Sequence, residues 1–126
     1  MRIHPNKIEN VLRFDAQSRC DYFIRKVADS EIVWGLFDTG WATATVNGLT
    51  AIPFWPEEDF AALCTSHEWK SFHPKTISLG EFLSRWLPGM ERDERVCVVF
   101  PGPEDKGRLL SPMDLLELIK QELQNE

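Results

Sequence analysis

The sequence predicts an α+β fold, in which a mostly antiparallel sheet packs against helices. The strongest observation lies at residues 32–55, where three short apolar runs are separated by Asp38-Thr39-Gly40 and by Asn47-Gly48. Both separators are typical of tight hairpin turns, so this segment predicts a three-stranded antiparallel meander. Two later apolar runs, at residues 96–100 and 108–110, predict two further strands. Between the strands, apolar residues recur at intervals of three and four, which is typical of amphipathic helices.

Two helices are expected before the meander. Residues 1–13 predict one or two helical turns, with Asn6 as the candidate N-cap. Residues 15–30 predict a longer helix, because Asp15 can cap its first turn. The apolar stripes of these helices are Ile8, Val11 and Leu12 in the first and Cys20, Phe23, Ile24 and Val27 in the second.

Hairpin geometry assigns the side chains of the meander to two faces. A two-residue turn at Asn47-Gly48 pairs Val46 with Leu49, and a three-residue loop at residues 38–40 pairs Leu36 with Ala42. One face is then wholly apolar, whereas the other is mixed and is expected to be either covered or a binding surface. The apolar face comprises Ile32, Trp34, Leu36, Ala42, Ala44, Val46, Leu49, Ala51 and Pro53; the mixed face comprises Val33, Gly35, Phe37, Trp41, Thr43, Thr45, Thr50, Ile52 and Phe54.

Two more helices follow the meander. Proline and two carboxylates at residues 56–58 open the first, whose apolar stripe is expected to be Phe60, Ala61, Leu63 and Cys64. A polar loop covers residues 67–75. Ser78 and Glu81 form a capping box that opens the second helix, and Pro88-Gly89 is expected to end it.

The last quarter of the chain predicts two strands and a helix. The continuous apolar run at residues 96–100 is typical of a central strand that is buried on both faces. A loop rich in proline and glycine leads to the short strand at residues 108–110. Ser111 and Pro112 then open the last helix, whose Leu115, Leu116, Leu118, Ile119 and Leu123 are expected to pack inward.

Size and charge limit the classes of protein to which the chain can belong. A chain of 126 residues and 14.6 kDa fits one domain, residues 1–126. The net charge of −6 repels phosphate backbones, and the basic residues near residues 92–108 alternate with acidic ones, so no nucleic-acid partner is expected.

The cysteines and the hydropathy pattern point to a compartment. Cys20, Cys64 and Cys97 are scattered among apolar neighbours, which indicates free thiols and a reducing environment. No run of about 18 uncharged apolar residues occurs, and no leader pattern is visible, so neither membrane insertion nor a membrane partner is expected. We expect a cytoplasmic protein.

Several residues are candidates for metal binding or catalysis. Cys64, His67 and His73 have the spacing C-x2-H-x5-H, but a structural zinc site needs four ligands, and Cys64 falls on the apolar stripe of its helix. A Cys64–His67 nucleophile pair lacks a glycine-rich turn that could bind an oxyanion. Glu57 and Glu58 are interpreted as partners of a helix dipole rather than as acid-base catalysts.

The glycine- and proline-containing loop at residues 100–108 lacks GxxxxGK[ST] and is not followed by a helix, so it is interpreted as a connection between strands rather than a phosphate loop. No catalytic residue, cofactor or metal is therefore predicted, and the balance favours a protein that is not an enzyme.

The aromatic residues are the more serious candidates for a binding surface. Tryptophan is enriched where proteins bind partners, although large aromatics also dominate cores. Residues 65–75 place Trp69 and Phe72 among polar neighbours beside His67 and His73, which favours an exposed site. The predicted partner-binding residues are Trp41, Trp55, Trp69, Phe72, His67 and His73.

Separated blocks of the sequence resemble a bacterial family, the domain of unknown function 2750. They are residues 22–29, 33–36, 40–42, 53–56 with 60–64, 81–83 with 86–89, and 99–101 with 111–112. The resemblance extends from about residue 19 to the C-terminus. It implies a small single-domain cytoplasmic bacterial protein and no activity. The order of the elements is also similar, at the level of pattern only, to the SseB-like families of secretion and interbacterial-toxin neighbourhoods.

Three functions remain open on the sequence. The first is a non-catalytic domain, accessory or immunity-type, that binds another bacterial protein. The second is a small-molecule-binding or enzymatic domain with a pocket between the meander and the Trp86 helix, in which His67 or His73 is the acid-base group. The third is a homodimer formed through the sheet edge or through the mixed face.

Overall fold

The computed structural model describes residues 3–125, except for the side chain of His67. Helices α1 (Pro5–Leu12) and α2 (Ala16–Ser30) precede strands β1 (Ile32–Phe37), β2 (Ala44–Val46) and β3 (Leu49–Phe54). Helix α3 (Glu58–Ala62) and a 3-10 turn (His67–Trp69) lead to β4 (His73–Ser78). A continuous helical stretch follows, made of α4 (Leu79–Glu81), a π-helical segment (Phe82–Trp86) and α5 (Leu87–Arg92). Strands β5 (Val96–Val99) and β6 (Arg108–Leu110) and helix α6 (Pro112–Gln124) complete the α+β fold that was predicted.

Side-chain caps begin three of the helices as the sequence indicates. The Asp15 carboxylate accepts from the Ser18 amide at 2.8 Å, and the hydroxyls of Ser78 and Ser111 accept from amides three residues later. The predicted cap of the first helix was wrong, because His4 rather than Asn6 occupies that position. Its Nδ1 accepts from the Asn6 amide at 3.1 Å, and Pro5 takes the first helical position, where no amide proton is needed.

The strands form two sheets instead of a single meander. The β2–β3 hairpin is confirmed, with Val46 paired to Leu49 across a turn in which Asn47 and Gly48 have φ of 52° and 79°. The first strand does not continue this sheet. β1 meets the β1–β2 connection at the bridge between Phe37 and Trp41, where the Ala42 amide donates to the Leu36 carbonyl at 2.8 Å in the predicted register. Along its whole length β1 pairs antiparallel with β4.

Strand β4 lies where the sequence predicted a polar loop. Most of its side chains are exposed, since it pairs only with β1 in the part of the chain that the structure describes. Pro74 and Lys75 are residue types that protect the free edge of a sheet, and this is why the segment has the composition of a loop.

The four-stranded sheet has the order β2-β3-β5-β6, and its β3–β5 pair is parallel while the other pairs are antiparallel. The prediction of β5 as a central strand is confirmed, because Cys97, Val98 and Val99 are all buried. The two sheets are joined where Trp34 and Trp55 exchange backbone hydrogen bonds of 3.0 and 2.8 Å.

The side chains of β3 divide between two faces, and the helices cover the face that was predicted to be mixed. Ile52 and Phe54 are buried there, and the Phe54 ring meets the Phe82 ring at a centroid distance of 4.8 Å. The face predicted to be wholly apolar is only partly buried, because Leu49 is 41% exposed. Leu63, expected on the apolar stripe of α3, is 42% exposed.

The helix that was expected to end at Pro88-Gly89 continues to Arg92. A proline inside an α-helix removes one hydrogen bond and clashes with the preceding turn. Here the π-helical segment comes immediately before it, and the Leu87 amide donates to the Phe82 carbonyl five residues back. This wider turn lets the chain pass Pro88 without leaving the helix.

Candidate functional site

A chain of aromatic rings joins both sheets to the π-helical segment. The Trp41 ring meets the Phe37 ring at 5.1 Å and the Trp86 ring at 4.9 Å, and Phe54 meets Trp86 at 5.9 Å. All three contacts are edge-to-face, the arrangement that aromatic pairs prefer. Much of the aromatic surplus noted in the sequence therefore serves packing.

Trp41 is held in place from several sides. Its ring lies over Gly35 of β1, where a Cβ atom would come within 2.9 Å of the indole. The ammonium of Lys75 stands 4.0 Å from the Phe37 ring centroid and 5.6 Å from that of Trp41. The indole is only partly buried, so one part of it remains on the surface.

One cavity lies between the β1–β2 connection and the helical stretch. It has a volume of about 440 Å³, and we call it the Trp86 groove. Its apolar lining comes from Trp41, Ile52, Trp86 and Met90, and its charged rim from Glu81, Arg85, Asp93 and Arg95. A cavity between the predicted hairpin and the Trp86 helix is therefore present, but His73, one of the two histidines proposed for it, lies elsewhere, exposed on β4.

A second cavity, of about 370 Å³, lies on the other face of the four-stranded sheet, and we call it the Trp69 groove. Pro53 and Val98 are among its apolar lining residues, and Trp69 and Glu68 line it from the 3-10 turn. Pro101, Asp105 and Lys106 line it from the loop between β5 and β6. The indole Nε1 of Trp69 donates to the Thr43 carbonyl at 3.3 Å, which fixes the ring against the residue that precedes β2.

The Trp69 groove is part of a larger apolar face of the sheet, in which Ala51, Pro53 and Val98 are buried. Strand alternation and register place eight apolar side chains on this side of the sheet, which we call the apolar sheet face. Leu49 is 41% and Leu109 39% exposed. The members are Ala44, Val46, Leu49, Ala51, Pro53, Val96, Val98 and Leu109.

The predicted partner-binding residues are distributed over different environments. Trp55 is fully buried and donates from Nε1 to the Pro101 carbonyl at 2.9 Å, so its prediction as a surface anchor was wrong. Trp69 was expected to be exposed but is partly buried, with its ring 6.1 Å from that of Trp55. Phe72 is partly buried and lies with Trp41 and Trp69 around a small cavity. The prediction for the His67 side chain lies outside what the structure describes.

The cysteines are structural. Among the described residues, no group of three or more histidine, cysteine or acidic side chains is arranged to hold a metal ion. The Cys64 thiol donates to the Pro101 carbonyl at 3.4 Å, and burial raises its pKa to about 11. Burial likewise raises the pKa of Cys20, and that of Cys97 to about 12. Thiols held neutral in this way are poor nucleophiles.

The loop at residues 100–108 is tied to the core. Arg19, which is buried, donates to the Phe100 carbonyl at 3.2 Å, to the Phe14 carbonyl at 2.7 Å and to the Asp105 carboxylate. The same carboxylate accepts from the Gly107 amide at 2.8 Å. The loop is therefore a fixed wall of the Trp69 groove.

Glu57 has a structural partner as well. Its carboxylate accepts a hydrogen bond from the Tyr22 hydroxyl. Burial, reinforced by this hydrogen bond, raises the pKa of Tyr22 above its usual range. The tyrosine is thereby kept as the protonated donor.

Two features of these sites were not predicted from the sequence: the apolar sheet face as a candidate surface, and Arg85 and Arg95 as part of a groove. The signal for the first was present in the hairpin, where apolar and polar residues alternate from Thr43 to Thr50. The apolar side of such an alternation is ordinarily core, which is how it was interpreted. For the arginines, the sequence holds no signal that distinguishes them from other surface cations.

Two comparisons complete the description of the site. A family model with the description "Protein of unknown function (DUF2750)" matches residues 20–119. No curated protein matches the chain. Within residues 3–125, none of the helices has the length and apolar character needed to span a bilayer.

Proposed function

The chain belongs to the DUF2750 family, and we propose that this member is a non-catalytic domain that binds a basic, partly apolar segment of another protein. The docking surface is the apolar sheet face together with the Trp69 groove. An accessory or immunity-type role in a bacterial cytoplasm agrees with this proposal, and the three free cysteines support a reducing compartment.

One observation carries the proposal. In the β2–β3 hairpin, exposed polar Thr45 and Thr50 lie on the side of the sheet that faces the helices, whereas Val46 and Leu49 lie on the opposite side. Folding of the chain onto its own helices would favour the reverse arrangement, since polar residues belong on the face that water covers. A partner that covers the apolar sheet face accounts for this pattern.

The Trp69 groove supports a defined occupant. Its apolar lining can accept an aliphatic or aromatic side chain, and tryptophan and apolar floors are typical of the buried centre of an interface. A protruding side chain of a partner is better accommodated by such a groove than by a flat surface. We therefore assign the apolar part of the partner segment to this groove.

Charge favours a basic partner over a second copy of the chain. The chain has a net charge of −6, and Glu68 at the groove and Glu104 in the adjoining loop are exposed carboxylates. Asp105 is already paired with Arg19. Lys106 is the principal positive charge that lies near the two exposed carboxylates at the groove. Two acidic copies repel one another, while a basic segment is attracted and steered to the site.

The test compares two neighbouring residues of one strand. Leu49→Lys places a charge on the apolar sheet face, and Thr50→Lys places the same charge on the opposite face. Proteins captured from the native cytoplasm by the wild-type chain are identified, and the binding segment of each is synthesised and titrated by calorimetry. We expect a basic segment whose affinity falls about tenfold or more with Leu49→Lys and stays within about twofold with Thr50→Lys.

Two results would overturn the proposal. In one, every captured segment binds both lysine variants equally well. In the other, light scattering shows a wild-type dimer that Leu49→Lys dissociates, which would make the apolar sheet face a contact between copies of this chain. Circular dichroism of both variants confirms that each is folded before binding is compared.

A further inference from the structure

The Trp86 groove lies on the helix-covered side of the four-stranded sheet, away from the surface proposed to bind a protein. Its interior is apolar, with Ile52 and Met90 buried and the indoles of Trp41 and Trp86 partly exposed. A volume of about 440 Å³ falls in the range of small-molecule sites. The groove can therefore hold a ligand with one or two rings.

The aromatic walls of this groove are held by packing contacts. Trp41 is fixed by its position over Gly35 and by edge-to-face contacts with Phe37 and Trp86. Trp86 ends the π-helical segment, a type of helix irregularity that is frequent at functional sites. Rings held in this way lose little side-chain entropy when a ligand stacks on them.

The rim of the groove carries two arginines and two carboxylates. Arg85 is paired with Glu81 at 3.6 Å, and Asp93 lies 3.9 Å from Arg92, which is outside the groove. Arg95 has no ion-pair partner within residues 3–125. Its guanidinium is exposed at the rim, where it can donate hydrogen bonds to a carboxylate, a phosphate or a sulfonate.

We infer that the Trp86 groove binds a small molecule that combines an aromatic ring with an anionic group. The ring packs against Trp41 and Trp86, and the anion pairs with Arg95. This site is separate from the apolar sheet face and does not depend on a protein partner.

Two probes with the same ring and opposite charges test the inference. Naphthalene-2-carboxylate and 2-naphthylmethylammonium are titrated into the ¹⁵N-labelled chain, and the indole N–H signals of the tryptophans are followed by NMR. The carboxylate is expected to shift the signals of Trp41 and Trp86 and to bind more tightly than the ammonium probe. Arg95→Gln is expected to weaken binding of the carboxylate about twofold to fivefold and not to weaken binding of the ammonium probe.

Arg13→Gln is the matched control, because Arg13 is an exposed arginine that does not line the groove. It should change neither affinity. The inference is overturned if the carboxylate produces no shift at millimolar concentration, if it shifts Trp69 instead of Trp41 and Trp86, or if Arg95→Gln has no more effect than Arg13→Gln. Leu49→Lys should leave binding of the carboxylate intact, so failure of this inference and failure of the proposed function are separate results.

Discussion

At Gly35, the indole of Trp41 occupies the space that a side chain would need. This contact connects strand β1 to the β1–β2 connection and, through Trp86, to the helical stretch. The position of Trp41, which forms one wall of the Trp86 groove, therefore depends on Gly35 having no side chain. At the scale of residues, the steric fit between Gly35 and Trp41 sets the position of this groove wall.

Gly35→Ala is expected to lower the free energy of unfolding by about 1–3 kcal/mol, because the added methyl group forces the packed Trp41 ring to move. Urea denaturation measures the change. Gly40→Ala is the control, since no atom lies within 4 Å of the position of its Cβ, and it should be close to neutral. Equal stability of the two variants would show that the ring moves freely.

The buried thiols give a second prediction at this scale. The pKa of Cys64 is raised from 9.0 to about 11 and that of Cys97 from 9.0 to about 12. Above pH 9 the unfolded chain releases these protons before the folded one, so the folded state is disfavoured as pH rises. The thiol contribution to stability is fully present below pH 9 and is lost between pH 9 and 12.

Urea denaturation between pH 8 and pH 10.5 tests this dependence with the wild-type chain and Cys64→Ala. The slope of stability against pH should be shallower in the variant, although its stability at pH 8 is also lower. Identical slopes would contradict the assignment of the pH dependence to the Cys64 thiol.

Native thiols should not react with a disulfide reagent at pH 8 until the chain is unfolded.

At the scale of elements, the β2–β3 hairpin follows from local turn chemistry. Asn47 and Gly48 both adopt positive φ, the backbone that a two-residue hairpin turn requires. The same hairpin carries Val46 and Leu49 on the apolar sheet face. The geometry of the proposed docking surface therefore depends on a turn of two residues.

Gly48→Ala is expected to destabilise the chain by about 1–2 kcal/mol, since φ of 79° is strained for a residue with a Cβ atom. Hydrogen exchange should show faster opening of β2 and the start of β3. Gly80→Ala, in helix α4 with nothing within 4 Å, should be neutral or slightly stabilising. If both variants lost a similar amount of stability, the positive φ of the turn would not be the cause.

At the scale of the whole molecule, Arg19 joins helix α2 to a loop more than eighty residues away. It is 3% exposed, and its guanidinium bonds two carbonyls and the Asp105 carboxylate. No described buried side-chain polar atom lacks a hydrogen-bond partner. A buried charge is tolerated here because each of its neighbours accepts a hydrogen bond.

Arg19→Met is expected to lower the free energy of unfolding by about 2–4 kcal/mol, because it leaves buried carbonyl groups without donors. Arg13→Met removes an arginine of 73% side-chain exposure and should change stability by no more than about 0.5 kcal/mol. Guanidinium denaturation compares the two. A loss for Arg19→Met no larger than the control would show that water replaces the missing donors.

Residues close in sequence allowed much of the fold to be predicted. Asp15, Ser78 and Ser111 mark helix starts, and the run at residues 96–100 marks the central strand, because caps and apolar periodicity depend on near neighbours. The partner of β1 was not predictable in this way. β4 carries the signals of a loop, and its pairing depends on a segment about forty residues earlier in the chain.

The candidate site shows the same difference between what near neighbours in the sequence predict and what depends on the packing of distant segments. Local sequence signals predicted most of the helices, the β2–β3 hairpin and the family, and they singled out Trp41 and Trp69 as residues of interest. The packing of distant segments places Trp55 in the core, turns Trp41 and Trp86 toward one groove, and turns Trp69 toward another on the opposite side of the sheet. The alternation of a strand defines two faces, but which face is covered depends on where all other elements pack.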